Sequence, residues 1–202
     1  MDYPNCKTKI AMKKFISKLC CLDNIHQWSE RDSIIKESVS QHSFKVAAIA
    51  NYLFQSIDAG KKPHECLPDT FRGEVLSYAI MHDFDEAIFG RDVSHTVKYN
   101  SYNGEHIRKA IDEYVEHTLE TEFFGLMKAP SYIVKRFVKL CDWLALLTFT
   151  TRNQKMGAKT FSNEDVYCRE KIVETMKEVE KLLYSEFGVN IELNLYINLE
   201  AL

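Results

Sequence analysis

The sequence predicts an all-helical chain, on three observations. Glycine and proline number only 7 and 4 in 202 residues, far too few for the turn-rich punctuation of a sandwich or barrel. Apolar residues recur three and four apart through most of the chain, the spacing of a helix face rather than the alternation of a strand. The balance of 46% hydrophobic to 27% charged residues is that of an ordinary globular domain. At this length roughly 70% of the surface exposed by the unfolded chain can be buried, so the fold needs no disulfide or structural metal. One domain over residues 1–202 is expected, with a motif-bearing core over about 10–150 and a C-terminal helix and tail over about 160–202.

A first helix is predicted over Ile10 to Leu22, with Met12, Phe15, Ile16 and Leu19 on its inward stripe. The segment from Asp23 to Val39 is polar and irregular and carries one conspicuous aromatic, Trp28. Ser40 suits the N-cap of a second helix to about Ser56, whose stripe of Val46, Ile49, Ala50 and Leu53 is extended one turn by His42. Two prolines hold the next loop out of a helix. A third helix, Thr70 to Asp83, is expected to bury Val75, Leu76, Ala79 and Ile80 and to end on the doublet His82-Asp83. Glu105 to Glu122 reads as a charged amphipathic helix. Ser131 opens the most apolar helix, to about Thr151, with Val134, Val138, Cys141 and Ala145 inward and Asp142 in its middle. A last helix covers Asn163 to Phe187, and the tail beyond it reads as a short strand or a packed extension.

Charge and composition exclude several classes of function. With 26 Lys+Arg against 29 Asp+Glu the net charge is -3, which argues against nucleic acid or an anionic membrane surface as the main partner. No run reaches the roughly 18 apolar residues of a membrane helix, and the N-terminus lacks a signal-peptide core, so an intracellular, cytoplasmic protein is expected. The 6 cysteines form no CxxC pair, and four lie in apolar helical stretches as expected for reduced, buried thiols.

Four ligand-type residues fall on expected core faces in the order H, HD, D: His42, His82, Asp83 and Asp142. A carboxylate inside FVKLCDWLALL is costly to bury without a hydrogen-bonding partner or a metal. Two imidazoles and two carboxylates suit a borderline divalent ion such as Mn, Co, Fe, Ni or Zn, with positions left for water and substrate oxygens.

On the segments SVSQHSFKVA, MHDFDEAIFGRDVSHTVKY and KLCDWLALL, with Trp28 standing fourteen residues before His42, the chain resembles the HD-domain phosphohydrolase superfamily and its YfbR-like 5'-deoxynucleotidases. The resemblance implies an HD-domain helical bundle in which His42, His82, Asp83 and Asp142 hold one divalent metal ion, Mg included among the candidates. It implies catalytic carboxylates at Glu86 and Asp92, and substrate contacts at Gln27, Trp28, Thr96 and Lys98, with Trp28 against the deoxyribose and Thr96 and Lys98 toward the phosphate. Two departures from the family pattern stand out. Gln27 replaces the usual arginine before the tryptophan, and the loop AIFGRDVSHTV is one residue longer and lacks proline.

The implied activity is hydrolysis of the 5' phosphoester of a small-molecule 2'-deoxynucleotide, by a homo-oligomer acting in the cytoplasm, or in the host cytoplasm if phage-encoded. A monophosphate substrate leads, with a deoxynucleoside triphosphate triphosphohydrolase as the alternative that the two departures keep open. An inactive binding protein on the same fold would be expected to have lost a ligand, and a diiron oxygenase would need further ligands. His106 and His117 share a helix face but stand about 16 Å apart along it, too far to ligate one ion together, so a single metal is expected.

Overall fold

The computed structural model describes residues 6–29, 31–62, 65–92, 106, 109–111, 113–115, 117–118, 130–195 and 197–199, with side chains from residue 12 onward. Among these the secondary structure is helical, with one isolated antiparallel bridge between His26 and Ser38. The helices are α1 (Cys6–Cys21), α2 (Val39–Asp58), α3 (Asp69–Met81), α4 (Phe84–Phe89), α5 (Tyr132–Lys155) and α6 (Ser162–Phe187). The helix expected over Glu105 to Glu122 is met at each described position within it. The chain forms two compact units, one of residues 1–30, 36–41 and 83–129, the other of 31–35, 42–82 and 130–202.

In the first unit α1 packs on α4, with the rings of Phe15 and Phe84 5.3 Å apart, and Lys18 Nζ donates to the carbonyl of Ala87 at 3.0 Å. The lysine thereby satisfies a carbonyl that the end of the short helix leaves open. The expected inward stripe of α1 is only partly buried. Met12 is 63% exposed, Ile16 48% and Leu19 37%, because α4 is about 9 Å long and covers little more than the turn around Phe15. Ahead of α2, Gln27 N–H donates to Glu37 O (2.9 Å) and Val39 N–H to Ile25 O (2.8 Å), so the irregular segment is held by backbone pairing rather than by a helix.

The second unit is built around α5, which is buried on most of its circumference. Phe137 of α5 stacks on Phe54 of α2 with centroids 4.9 Å apart, and Phe71 of α3 sits edge-on to both. Edge and face arrangements of this kind bring complementary ring charge together in addition to burying apolar area. Val46, Ala50 and Leu53 of α2, Val75 and Ala79 of α3, and Val134, Val138, Cys141 and Ala145 of α5 are buried as expected. Ile80 is not. It is 51% exposed, and Phe71, one turn before Val75, takes the inward place instead. Cys168, Ile172, Val179 and Leu183 of α6 close the other side of α5. The tail is a packed extension, with Ile191, Leu193 and Ile197 buried and a single 3-10 turn at Leu193–Leu195.

The third helix stops earlier than its periodicity suggests. His82 caps α3, and Asp83 then begins α4, whose first turn carries Asp85 and Glu86. Aspartate is a poor helix-interior residue, and carboxylates are favoured at a helix start, so the doublet becomes a corner instead of a last turn.

Asn153 near the end of α5 is fully buried and fastens the second unit's isolated strip of chain. Its Oδ1 accepts from the amides of Ile34 (2.8 Å) and Ile35 (2.9 Å), while Nδ2 donates to Phe149 O (3.1 Å). Asn153→Leu strands those two amides and is expected to lower stability by about 2–3 kcal/mol, a fall of about 4–12 °C in Tm for a chain of this size, measured by thermal unfolding.

The thiols divide by burial. Cys141 and Cys168 are buried and Cys66 is half-buried, whereas Cys20 and Cys21 on α1 are exposed, which corrects the expectation of buried thiols along the α1 stripe. Burial, with Asp142 and Asp165 nearby, pushes the Cys168 thiol up to about 12, and burial pushes Cys141 up as well. A thiol held neutral is a poor nucleophile. At pH 8 a thiol reagent is therefore expected to label Cys20 and Cys21 in the native protein, and Cys141 and Cys168 only after denaturation, as read by peptide mass mapping.

Candidate metal centre

Three helices of the second unit each deliver one donor. His42 stands in the first turns of α2, His82 at the C-terminal cap of α3, and Asp142 midway along α5. Their donor atoms all lie within 4.8 Å of one another. His42 Nε2 is 2.9 Å from Asp142 Oδ1, and the two imidazoles are 5.5 Å apart between centroids. His42 is almost fully buried, at 2% exposure.

The second nitrogen of His82 has an assigned task. Nδ1 lies 2.8 Å from the carbonyl of Ala79, so it carries the proton and Nε2 carries the lone pair. Anchoring a histidine through its other nitrogen is how proteins orient an imidazole for a metal. Asp142 is served on both oxygens, Oδ1 toward His42 and Oδ2 toward Lys139 Nζ at 2.6 Å. Burial pushes its carboxyl up, but Lys139, the His42 hydrogen bond and the two imidazoles outweigh burial and hold it well below the usual carboxylate range. Lys139 also lies over the Trp143 ring at 4.4 Å. Sequence reasoning missed this lysine, although the spacing of three between Lys139 and Asp142 is the signal that would have found it.

Two neutral nitrogens and an ionised carboxylate oxygen fit a borderline divalent ion. Donors about 2.0–2.2 Å from such an ion stand about 3–4 Å apart, within the span seen here.

The remaining expected residues lie in the first unit or outside the described residues. Asp83, one peptide bond beyond His82, is half-buried, and its Oδ2 accepts from Gln27 Nε2 at 3.2 Å. Gln27 thus meets a carboxylate where a substrate contact was expected. Glu86, in the first turn of α4, is 4% exposed. Asp92 Oδ2 accepts the backbone N–H of Trp28 at 2.9 Å, and Trp28 is half-buried. Thr96 and Lys98 lie outside the described residues. His106 and His117 are exposed.

Two histidines and an aspartate converging from three helices, with a His-Asp doublet at a helix corner, define the class of HD-type helical metal hydrolases. The chain belongs to the YfbR-like 5'-deoxynucleotidase family, whose model matches residues 14–187. It is a hydrolytic enzyme, a metal-dependent deoxynucleotide phosphohydrolase. Among solved structures, an HD-domain phosphohydrolase from Listeria innocua aligns at a TM-score of 0.67 and 19% identity, over 94% of this chain and 88% of its own. A protein from Pyrococcus horikoshii aligns at 0.60 and 22% identity, over 86% and 97%. One from Pyrococcus furiosus aligns at 0.53 and 24%, over 80% and 97%. These likenesses establish the fold, which is the all-helical HD fold that the sequence predicts. No curated protein matches the chain significantly. Among the described residues no helix is long and apolar enough to cross a membrane.

Removing one donor is expected to empty the site without unfolding the helices around it. Asp142→Ala or His82→Ala should lose the bound divalent ion by elemental analysis while the circular dichroism keeps its helical form. Full occupancy in both variants would overturn the assignment.

Proposed function

We propose that the enzyme hydrolyses the 5' phosphoester of 2'-deoxynucleoside monophosphates and releases the deoxynucleoside and inorganic phosphate. The observation that carries this reading is the meeting of His42, His82 and Asp142 in a chain whose family is that of 5'-deoxynucleotidases. In the proposal these three, with Asp83 next to His82 in the chain, hold one divalent transition ion. Such an ion supplies positive charge for the phosphoryl oxygens and makes an attacking water more acidic.

The chain's own residues do the rest. Lys139 holds Oδ2 of Asp142, leaving Oδ1 as the donor toward the site. Glu86 takes the proton of the nucleophile or returns one to the leaving oxygen. Its buried position shields it from bulk water, a setting in which a carboxyl group is tuned toward acid–base work. Trp28 lies against the deoxyribose, and Thr96 and Lys98 approach the phosphate, where the ammonium of Lys98 stabilises developing negative charge. The same reading makes the enzyme a homo-oligomer of the cytoplasm.

One observation favours a second substrate form. Gln27, in place of the family's arginine, donates to Asp83, so this position offers no cation to a single phosphate. A triphosphohydrolase that releases tripolyphosphate is the reading that follows if that cation is what limits the enzyme to monophosphates.

A panel of deoxy- and ribonucleoside mono-, di- and triphosphates, assayed with Mn, Co, Ni, Zn and Mg, tests both. Deoxynucleoside and phosphate from the monophosphates are expected, whereas tripolyphosphate from a triphosphate would establish the second reading. On the best substrate, Glu86→Gln should lower kcat by about 10²–10⁴-fold with metal content unchanged, because the amide keeps the shape but carries no proton. A fully active variant would remove Glu86 from the chemistry.

A further inference from the structure

Trp28 is the non-glycine residue with a positive φ, 56°, among the described residues. Bulky L side chains rarely enter the left-handed region, and a residue kept there is held by its surroundings. The hold is visible within the first unit. The N–H of Trp28 donates to Asp92 Oδ2 at 2.9 Å. The residue before it is fixed twice, Gln27 N–H on Glu37 O at 2.9 Å and Gln27 Nε2 on Asp83 Oδ2 at 3.2 Å. An N–H to carboxylate bond is of the stronger, charge-assisted kind. The indole gains little core burial in return, since Trp28 is only half-buried. The unfavourable backbone therefore serves to present the ring rather than to pack it.

We infer that Asp92 is a positioning residue: through the N–H of Trp28 it keeps that backbone left-handed and so sets the ring that separates 2'-deoxyribose from ribose, taking no part in proton transfer. The inference rests on the proposed placing of the sugar against Trp28, and it moves Asp92 from the chemistry to sugar selection.

Two substitutions separate a positioning carboxylate from a reacting one. Asp92→Asn keeps a side-chain oxygen that accepts the Trp28 N–H but abolishes the acid–base group, whereas Asp92→Ala removes both. The chain has 2 tryptophans, so in a Trp143→Phe background fluorescence reports Trp28 alone, without metal or nucleotide. Acrylamide quenching in that background should rise at least about twofold for Asp92→Ala and stay near the parent for Asp92→Asn, since only the former releases the backbone. With Trp143 restored, Asp92→Asn should keep kcat within about threefold, while Asp92→Ala should lower the deoxy-to-ribo ratio of kcat/KM by about tenfold, chiefly through KM.

Equal, large losses of kcat in both variants would overturn the inference and return Asp92 to the chemistry. Unchanged quenching and an unchanged sugar ratio in Asp92→Ala would overturn it as well. A parent that hydrolyses no deoxynucleotide would overturn the functional reading instead. The quenching comparison then still decides whether Asp92 holds Trp28: a rise confined to Asp92→Ala supports the hold, and no rise refutes it.

Discussion

A carboxylate in the middle of the most buried helix is the constraint on which the second unit depends. Taking Asp142 out of water without partners would cost several kcal/mol, and removing one partner from a buried ionic group typically costs about 3–5 kcal/mol. The unit answers with His42 on one oxygen and Lys139 on the other, and with His82 close enough to favour the negative charge. Each partner comes from a defined place: Lys139 from the preceding turn of α5, His42 from α2, His82 from the end of α3. Satisfying one charge thus specifies how three helices meet.

The apolar packing makes that meeting rigid. Phe54, Phe71 and Phe137 lock α2, α3 and α5 together, with Phe54 and Phe137 three turns along their helices from His42 and just over one turn from Asp142 respectively. Donors mounted on packed helices move little, as a metal site needs if its ligands are to stay within a few tenths of an ångström of their places. Asn153 performs a similar service at the far end of α5 by holding the amides of Ile34 and Ile35.

The helix corner at His82-Asp83 gives adjacent residues different surroundings. His82 turns back to Ala79 through Nδ1, while Asp83 meets Gln27. A continuous helix would point consecutive side chains about 100° apart on one rod. Ending α3 and restarting as α4 frees them from that restriction. The first unit then uses its carboxylates on backbone and amide donors, Asp83 on Gln27 and Asp92 on Trp28, so its polar residues shape a turn that hydrophobic burial leaves unspecified.

The helices and the four ligand candidates were legible in the chain because both follow from local pattern. Apolar spacing marked α2, α3, α5 and α6 to within a few residues, and Asp142 stood out as an unaccompanied charge in an apolar run. The order H, HD, D carried the family and the class of chemistry. What the chain could not specify by itself was each element's company. The α1 stripe reads as a core face, yet it stays largely exposed because the helix it meets is six residues long. Ile80 reads as inward and faces out, since periodicity gives a face but not which neighbour covers it. Lys139 as the partner of Asp142, Asp92 as the partner of the Trp28 N–H, and the left-handed backbone of Trp28 arise from side-chain directions and from chain segments far apart in sequence. Local composition determines which elements form and which chemistry they carry. Only the tertiary packing decides which charge compensates which, because that balance depends on distances a few ångströms long between residues up to a hundred positions apart.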